Sequence, residues 1–123
     1  MPGLPIIYTI DSMNDYKLML QNNPGMIIVK LGAEWCIPCQ RIDPVLQHVI
    51  PQMPENVQCV ILDIDESFEV YAQLKNKKMV NGIPSVLAYY KGNVTIIPDD
   101  MNSGSNVDEW NAFFERCFKK AKE

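Results

Sequence analysis

A chain of 123 residues, 47% hydrophobic and 21% charged, falls in the usual size range of one domain and can bury a core without staples. Its formal net charge of −4, with no basic run longer than Lys77-Lys78 or Lys119-Lys120, excludes a nucleic-acid-binding surface, and no segment has the apolar length of a membrane span. Met1-Pro2-Gly3-Leu4-Pro5 lacks the basic start and long apolar stretch of a signal peptide, and the four cysteines form no repeating framework, so a reducing, cytoplasmic compartment is expected.

In chain order, Ile6 to Thr9 predicts a first strand. Ser12-Met13-Asn14-Asp15 is a capping signal for a helix in which Tyr16, Leu18, Met19 and Leu20 supply apolar positions, until Asn22-Asn23-Pro24-Gly25 stops it. Met26 to Leu31 is a mostly buried strand that delivers the chain into Trp35-Cys36-Ile37-Pro38-Cys39 and a helix running to about Ile50. Pro38 sits in the first turn, where a missing N–H costs no hydrogen bond. Pro44 lies deeper and removes the bond to the Gln40 carbonyl, so a kink is expected there, and Pro51 and Pro54 end the helix.

Val60 to Asp65 predicts the next strand, and Ser67 to Lys75 a third helix. Val86 to Tyr90 with Val94 to Ile97 reads as a hairpin around Lys91-Gly92-Asn93. After the Ser103-Gly104-Ser105 loop, Asn106 caps a last helix whose Val107, Trp110, Phe114, Cys117 and Ala121 share one face. No repeat, linker or low-complexity stretch interrupts the pattern, so one domain over 1–123 is expected.

The chemistry lies in Cys36 and Cys39. Thiols at i and i+3 can close a disulfide on one helical turn, and the unpaired N–H groups at a helix start stabilise a thiolate there. A C-x-x-C pair can also supply half of a zinc site, but a tetrahedral site wants a second pair; Cys59 and Cys117 stand alone and the only histidine is His48. The reading is therefore disulfide exchange without metal or cofactor. Cys36, at the helix end, is expected to be the more exposed and more acidic thiol and to attack a substrate disulfide; Cys39, one turn further in, resolves the mixed disulfide.

With these landmarks in place the chain resembles the thioredoxin family over nearly all of its length. The residues that carry the resemblance are Ile6 to Thr9, Ile27 to Leu31, Ala33-Glu34-Trp35-Cys36-Ile37-Pro38-Cys39, Pro44, Val60 to Asp65, Asn81-Gly82-Ile83-Pro84-Ser85 and Tyr90-Lys91-Gly92-Asn93-Val94. The resemblance implies an α/β fold with a central mixed sheet of about five strands flanked by four helices. It implies a monomeric protein disulfide reductase that takes its electrons from an external reductase. A disulfide oxidase or isomerase, and a binding module without turnover, share the fold and stand as alternatives. The resemblance further implies a cis Ile83–Pro84 bond against the disulfide, an Ile83 backbone open to strand addition by an extended substrate, and a substrate rim of Trp35, Ile37, Gly82, Ile83 and Pro84.

The chain also departs from the family. Lys30 stands where a buried Asp is usual, Ile61 where a partner Lys is common, and Gly32 where an aromatic residue or Ser is usual; Ile37 replaces a Gly and Gln40 a Lys, with Arg41 keeping one positive charge nearby. Lys30 and Pro38 are expected to tune the thiols. If Lys30 points beneath the active site, its ammonium stabilises a thiolate or, deprotonated, serves as a base; alternatively its stem carries the charge to water at the sheet edge. Cys59, Cys117 and Trp110 are expected in the core, His48 in solvent, Glu34 as a charge that guides partners, and Asp63 and Asp65 as strand-end and turn residues.

Overall fold

The computed structural model describes residues 4–123, so Met1 to Gly3 of the N-terminal segment lie outside the described residues. The elements run α1 (Met13–Gln21), β1 (Met26–Gly32), α2 (Ile37–Val49) with a short 3-10 turn at Ile50–Gln52, β2 (Val57–Asp63), α3 (Phe68–Asn76), β3 (Ser85–Tyr90), β4 (Asp100–Ser103) and α4 (Val107–Ala121). The four strands form one mixed sheet in the order β2-β1-β3-β4. β1 is parallel to β2, a pairing that needs a crossover, and α2 supplies it; β1–β3 and β3–β4 are antiparallel.

Period-two alternation along β1 divides the core. Ile27, Val29 and Leu31 join Tyr16, Leu20, Val70 and Leu74 on the α1/α3 face, while Met26 and Ile28 join Ile42, Leu46, Trp110, Phe113 and Phe114 on the α2/α4 face. The same parity sends Lys30 and Gly32 to the α2 face. Burying the flat faces of Trp110, Phe113 and Phe114, each worth roughly 2–3 kcal/mol or more by area, anchors α4 on the sheet.

Two expected strands differ. Ile6 to Thr9 contributes only a single parallel bridge, Ile7 to Val60, with Ile7 N donating to Cys59 O and Ile61 N donating to Ile7 O. Tyr8 and Thr9 are exposed and Pro5 has no N–H, so little burial rewards longer pairing. The sheet thus has four strands plus a bridge, where about five strands were expected. Val94 to Ile97 is not a strand either. The Asn93 side chain accepts from Thr95 N and Oγ1 and donates to Ile97 O, folding the segment on itself, and β3 pairs instead with Asp100–Ser103. In α4, Val107 is exposed and Phe113 takes its place on the buried face. α2 continues through Pro44, and Ser67 precedes α3 without a side-chain cap because its Oγ accepts from Ile10 N.

Candidate active site

One end of the sheet gathers the site. The register pairs Leu31 with Ser85 and Gly32 with Asp63, so the turn after β1, the loop after β2 and the loop before β3 leave the sheet side by side. In the first turn Cys36 N donates to Ala33 O, and Gln40 Nε2 reaches back to Glu34 O. Cys36 is the N-cap of α2 in an extended conformation, and its Sγ accepts from Cys39 N at 3.2 Å. That bond satisfies one of the helix's orphan donors with a sulfur.

Cys36 and Cys39 form a disulfide with Cα atoms 5.2 Å apart, inside the range this bond needs. Cys36 keeps 5% of its surface against 2% for Cys39, so it is the more exposed of the two, although both are buried. The exposed surface belongs instead to the residues on either side: Trp35 at 63% and Ile37 at 59%. Trp35 Nε1 donates to Asp65 Oδ2 at 2.9 Å, and Asp65 N in turn donates to Asp63 Oδ1 at 2.8 Å. Asp65 therefore holds the indole from the neighbouring loop, a tie invisible to a reading of Asp65 as a turn residue, since residues thirty apart give no local pattern.

The Ile83–Pro84 bond is cis. Pro84 is buried and Ile83 half-buried, and among the described residues neither the N–H nor the C=O of Ile83 engages in a hydrogen bond. Ser85 Oγ donates to Gly82 O and Gly104 N to Pro84 O, bracing the loop from both sides. A Cβ added at Gly82 meets nothing within 4 Å, so the chain's own packing does not demand glycine there.

Lys30 leaves the inner strand β1 and lines two clefts on the β2 side of the sheet together with Tyr8, Ile61 and Asp43. Its Nζ lies 3.4 Å from Asp43 Oδ1 on α2, with 15% of the lysine side chain exposed against 40% of the aspartate's. A Cβ added at Gly32 would sit 3.1 Å from Lys30 Cε, 3.2 Å from its Nζ and 3.6 Å from Cys39 Sγ. The end of Lys30 and the Cys39 sulfur thus both border the space that the missing Gly32 side chain leaves. Asp43 escaped the sequence reading; its signal was its position four residues after Cys39, on the same helix face. Ile61, opposite Lys30 in register, is half-buried and apolar.

Arg41, His48 and Glu34 are exposed, and Gln52 Nε2 donates to the His48 carbonyl. Cys59 and Cys117 are free and buried; burial pushes the Cys59 thiol up to about 11, and burial with the nearby Asp100 pushes Cys117 up to about 12. Trp110 is fully buried, its Nε1 donating to Gly104 O. Among the described residues no group of three or more His, Cys, Asp or Glu could hold a metal ion, and no helix is long and apolar enough to cross a membrane.

The thioredoxin family model matches residues 8–115. Thioredoxin of Bacillus subtilis is 30% identical over 65% of this chain and 73% of its own length. Chloroplastic thioredoxin Y2 of Arabidopsis thaliana is 27% identical over 66% of this chain but only 46% of its own. Among solved structures, Trichomonas vaginalis thioredoxin superposes with a TM-score of 0.69 at 22% identity, covering 90% of this chain and 96% of that one, which gives the thioredoxin fold. Members of this family are thiol-disulfide oxidoreductases, and with the matched region enclosing the whole site just described, the chain belongs to the thioredoxin family.

Proposed function

We propose that this protein is a protein disulfide reductase. The observation that carries the reading is Cys36 at the N-cap of α2, its sulfur already accepting the Cys39 N–H, between two exposed apolar side chains. In the reduced protein that N–H and the partial positive charge of the helix end favour the Cys36 thiolate over the thiol. Pro38 contributes no N–H, which limits the donors around Cys36 and keeps that thiolate from becoming too stable to react.

The Cys36 thiolate attacks one sulfur of a substrate disulfide; a Cys36–substrate bond forms and the other substrate sulfur leaves as thiolate. Cys39 then gives up its proton and attacks the Cys36 sulfur, closing the Cys36–Cys39 bond and releasing the second substrate sulfur. The substrate gains two electrons and the protein dithiol loses two. An external reductase restores the dithiol, no metal or organic cofactor takes part, and the protein works as a monomer in a reducing, cytoplasmic compartment.

The substrate docks as an extended segment across Ile83, whose free N–H and C=O accept a strand, with Trp35, Ile37, Gly82 and Pro84 forming the rim. The test is trapping. Mixed with a disulfide-bonded protein, Cys39→Ser holds a stable mixed disulfide visible by mass spectrometry, whereas Cys36→Ser neither turns over nor traps. Turnover of insulin with dithiothreitol separates the reductase from a binding module, which would give none.

A further inference from the structure

Lys30 is a cation on an inner strand at the active-site end of the sheet, and the structure supplies three observations about its placement. Its ammonium and the Cys39 sulfur both lie within contact distance of the point where a Gly32 Cβ would be, at 3.2 and 3.6 Å. Asp43 moors the ammonium at 3.4 Å. The third is the company it keeps. The cleft beside it, of about 240 Å³, is lined by four acidic residues, Glu34 from the turn, Asp43 from α2, Asp63 from β2 and Glu66 from the following loop, and by Tyr8 from the N-terminal segment. Lys30 is the one cation lining it among the described residues, and its register partners Ile61 and Val86 carry no charge.

Resting on the reductase reading, we infer that Lys30, admitted near Cys39 by the missing side chain of Gly32 and moored by Asp43, is a positioning charge for the resolving step. It does not touch the reacting sulfurs of the substrate. It acts on Cys39, which must lose its proton to water before its thiolate can attack Cys36. Without the ammonium, every charged residue lining the adjacent cleft would be acidic.

Gly32 is the part of the device that makes it testable. Its backbone is ordinary strand, so alanine fits the main chain. The contacts a methyl group would make at 3.1 and 3.2 Å are to the flexible end of Lys30, and its 3.6 Å contact to Cys39 is ordinary packing. A methyl group there moves the ammonium, or stands between it and the sulfur, and leaves the cysteine in place.

A unit charge within about 7 Å of a sulfur, at an effective dielectric near 20 and opposed by the Asp43 carboxylate 3.4 Å from the ammonium, changes the thiolate fraction on the order of tenfold. Because nucleophilicity falls as a thiol becomes more acidic, the rate follows only about half of that on a logarithmic scale, or about threefold.

The experiment is stopped-flow mixing of the reduced protein with one equivalent of an aromatic disulfide whose released thiol is coloured. The first thiol released reports attack by Cys36 and the second reports attack by Cys39. Lys30→Met slows the second phase about threefold at pH 7 and moves its pH midpoint up by about one unit, with a smaller effect on the first phase because Cys36 lies farther from the ammonium; Lys30→Arg restores both. Asp43→Asn moves the second phase the other way. Gly32→Ala slows the second phase in the otherwise unchanged protein and does nothing in a Lys30→Met background. An unaltered second phase in Lys30→Met, or a Gly32→Ala effect of equal size in both backgrounds, overturns the inference while the reductase reading stands. Failure of the unmodified protein to release a second thiol overturns both.

Discussion

Replacing Asp65 with alanine isolates what the indole contributes to substrate recognition. Trp35 is 63% exposed, so its position depends on few packing contacts, and its Nε1–H bond to Asp65 Oδ2 at 2.9 Å is the one side-chain tie it has among the described residues. An exposed hydrogen bond to a carboxylate is worth about 0.5–1 kcal/mol here, close to the cost of immobilising one bulky side chain on binding. A freed indole should therefore raise KM for a protein disulfide about two- to fivefold. The reaction of Cys36 with a small aromatic disulfide, which needs no docking surface, should keep its rate. Asp65→Asn, which retains an acceptor oxygen, should recover most of the loss. Asp63→Ala, which removes the bond holding Asp65 N, should move KM in the same direction by less. Steady-state kinetics on the two substrates side by side decides the matter. Equal losses on both, or none on the protein substrate, would refute the reasoning, because either result detaches the indole from docking.

Trp110→Phe keeps an aromatic ring stacked on Phe114 and edge-on to Phe113 but leaves the Gly104 carbonyl without its donor, so the urea midpoint should fall by an amount equivalent to about 1–3 kcal/mol. Cys59 and Cys117 should resist iodoacetamide in the folded protein at pH 8 and react once urea unfolds it, as mass spectrometry can count. Their folded-state thiols ionise at about 11 and about 12, above the ordinary 9, so the folded state holds its protons longer than the unfolded one. The stability they contribute is complete below pH 9 and is lost as pH rises through 9 toward 12. Cys59→Ala and Cys117→Ala should each flatten that alkaline decline in denaturant melts.

The sequence made the reactive centre legible because its determinants are local. The cysteine spacing, the proline after the first thiol and the apolar run of β1 all act within a few residues, and the same parity that buries Met26 and Ile28 fixes the face of Lys30. Asn106 and Ser12 capped where expected, since a side chain that bonds the N–H three residues on needs no distant help. Asp100–Ser103 was illegible as a strand: Asp-Met-Asn-Ser has neither β-branched residues nor a buried face of its own and pairs only because β3 offers an edge. Val94 to Ile97 has the opposite character, strand-like in composition but captured by the Asn93 side chain. Asp65 matters through a partner thirty residues away that the sheet register brings near, and Asp43, although on the helix face of Cys39, matters through Lys30 on the preceding strand, a pairing that helical spacing alone does not reveal.

The way the sheet ends bears on which peptides this protein can bind. Beyond β2, the outer margin is already taken at Ile7 and flanked by Pro5, which has nothing to donate. On the opposite side β4 is four residues long, its Met101 N–H is turned onto the Asp100 carboxylate, and that carboxylate also binds Arg116 at 2.7 Å. Both flanks are thus poor templates for a visiting strand. A disulfide reductase that acts on extended, partly unfolded chains, as proposed above, runs the hazard of collecting them along any open margin. With the flanks blunted, the unpaired backbone of Ile83 is at the end of the sheet that also carries Cys36 and Cys39, so on the proposed reading capture and chemistry coincide at one address on the surface.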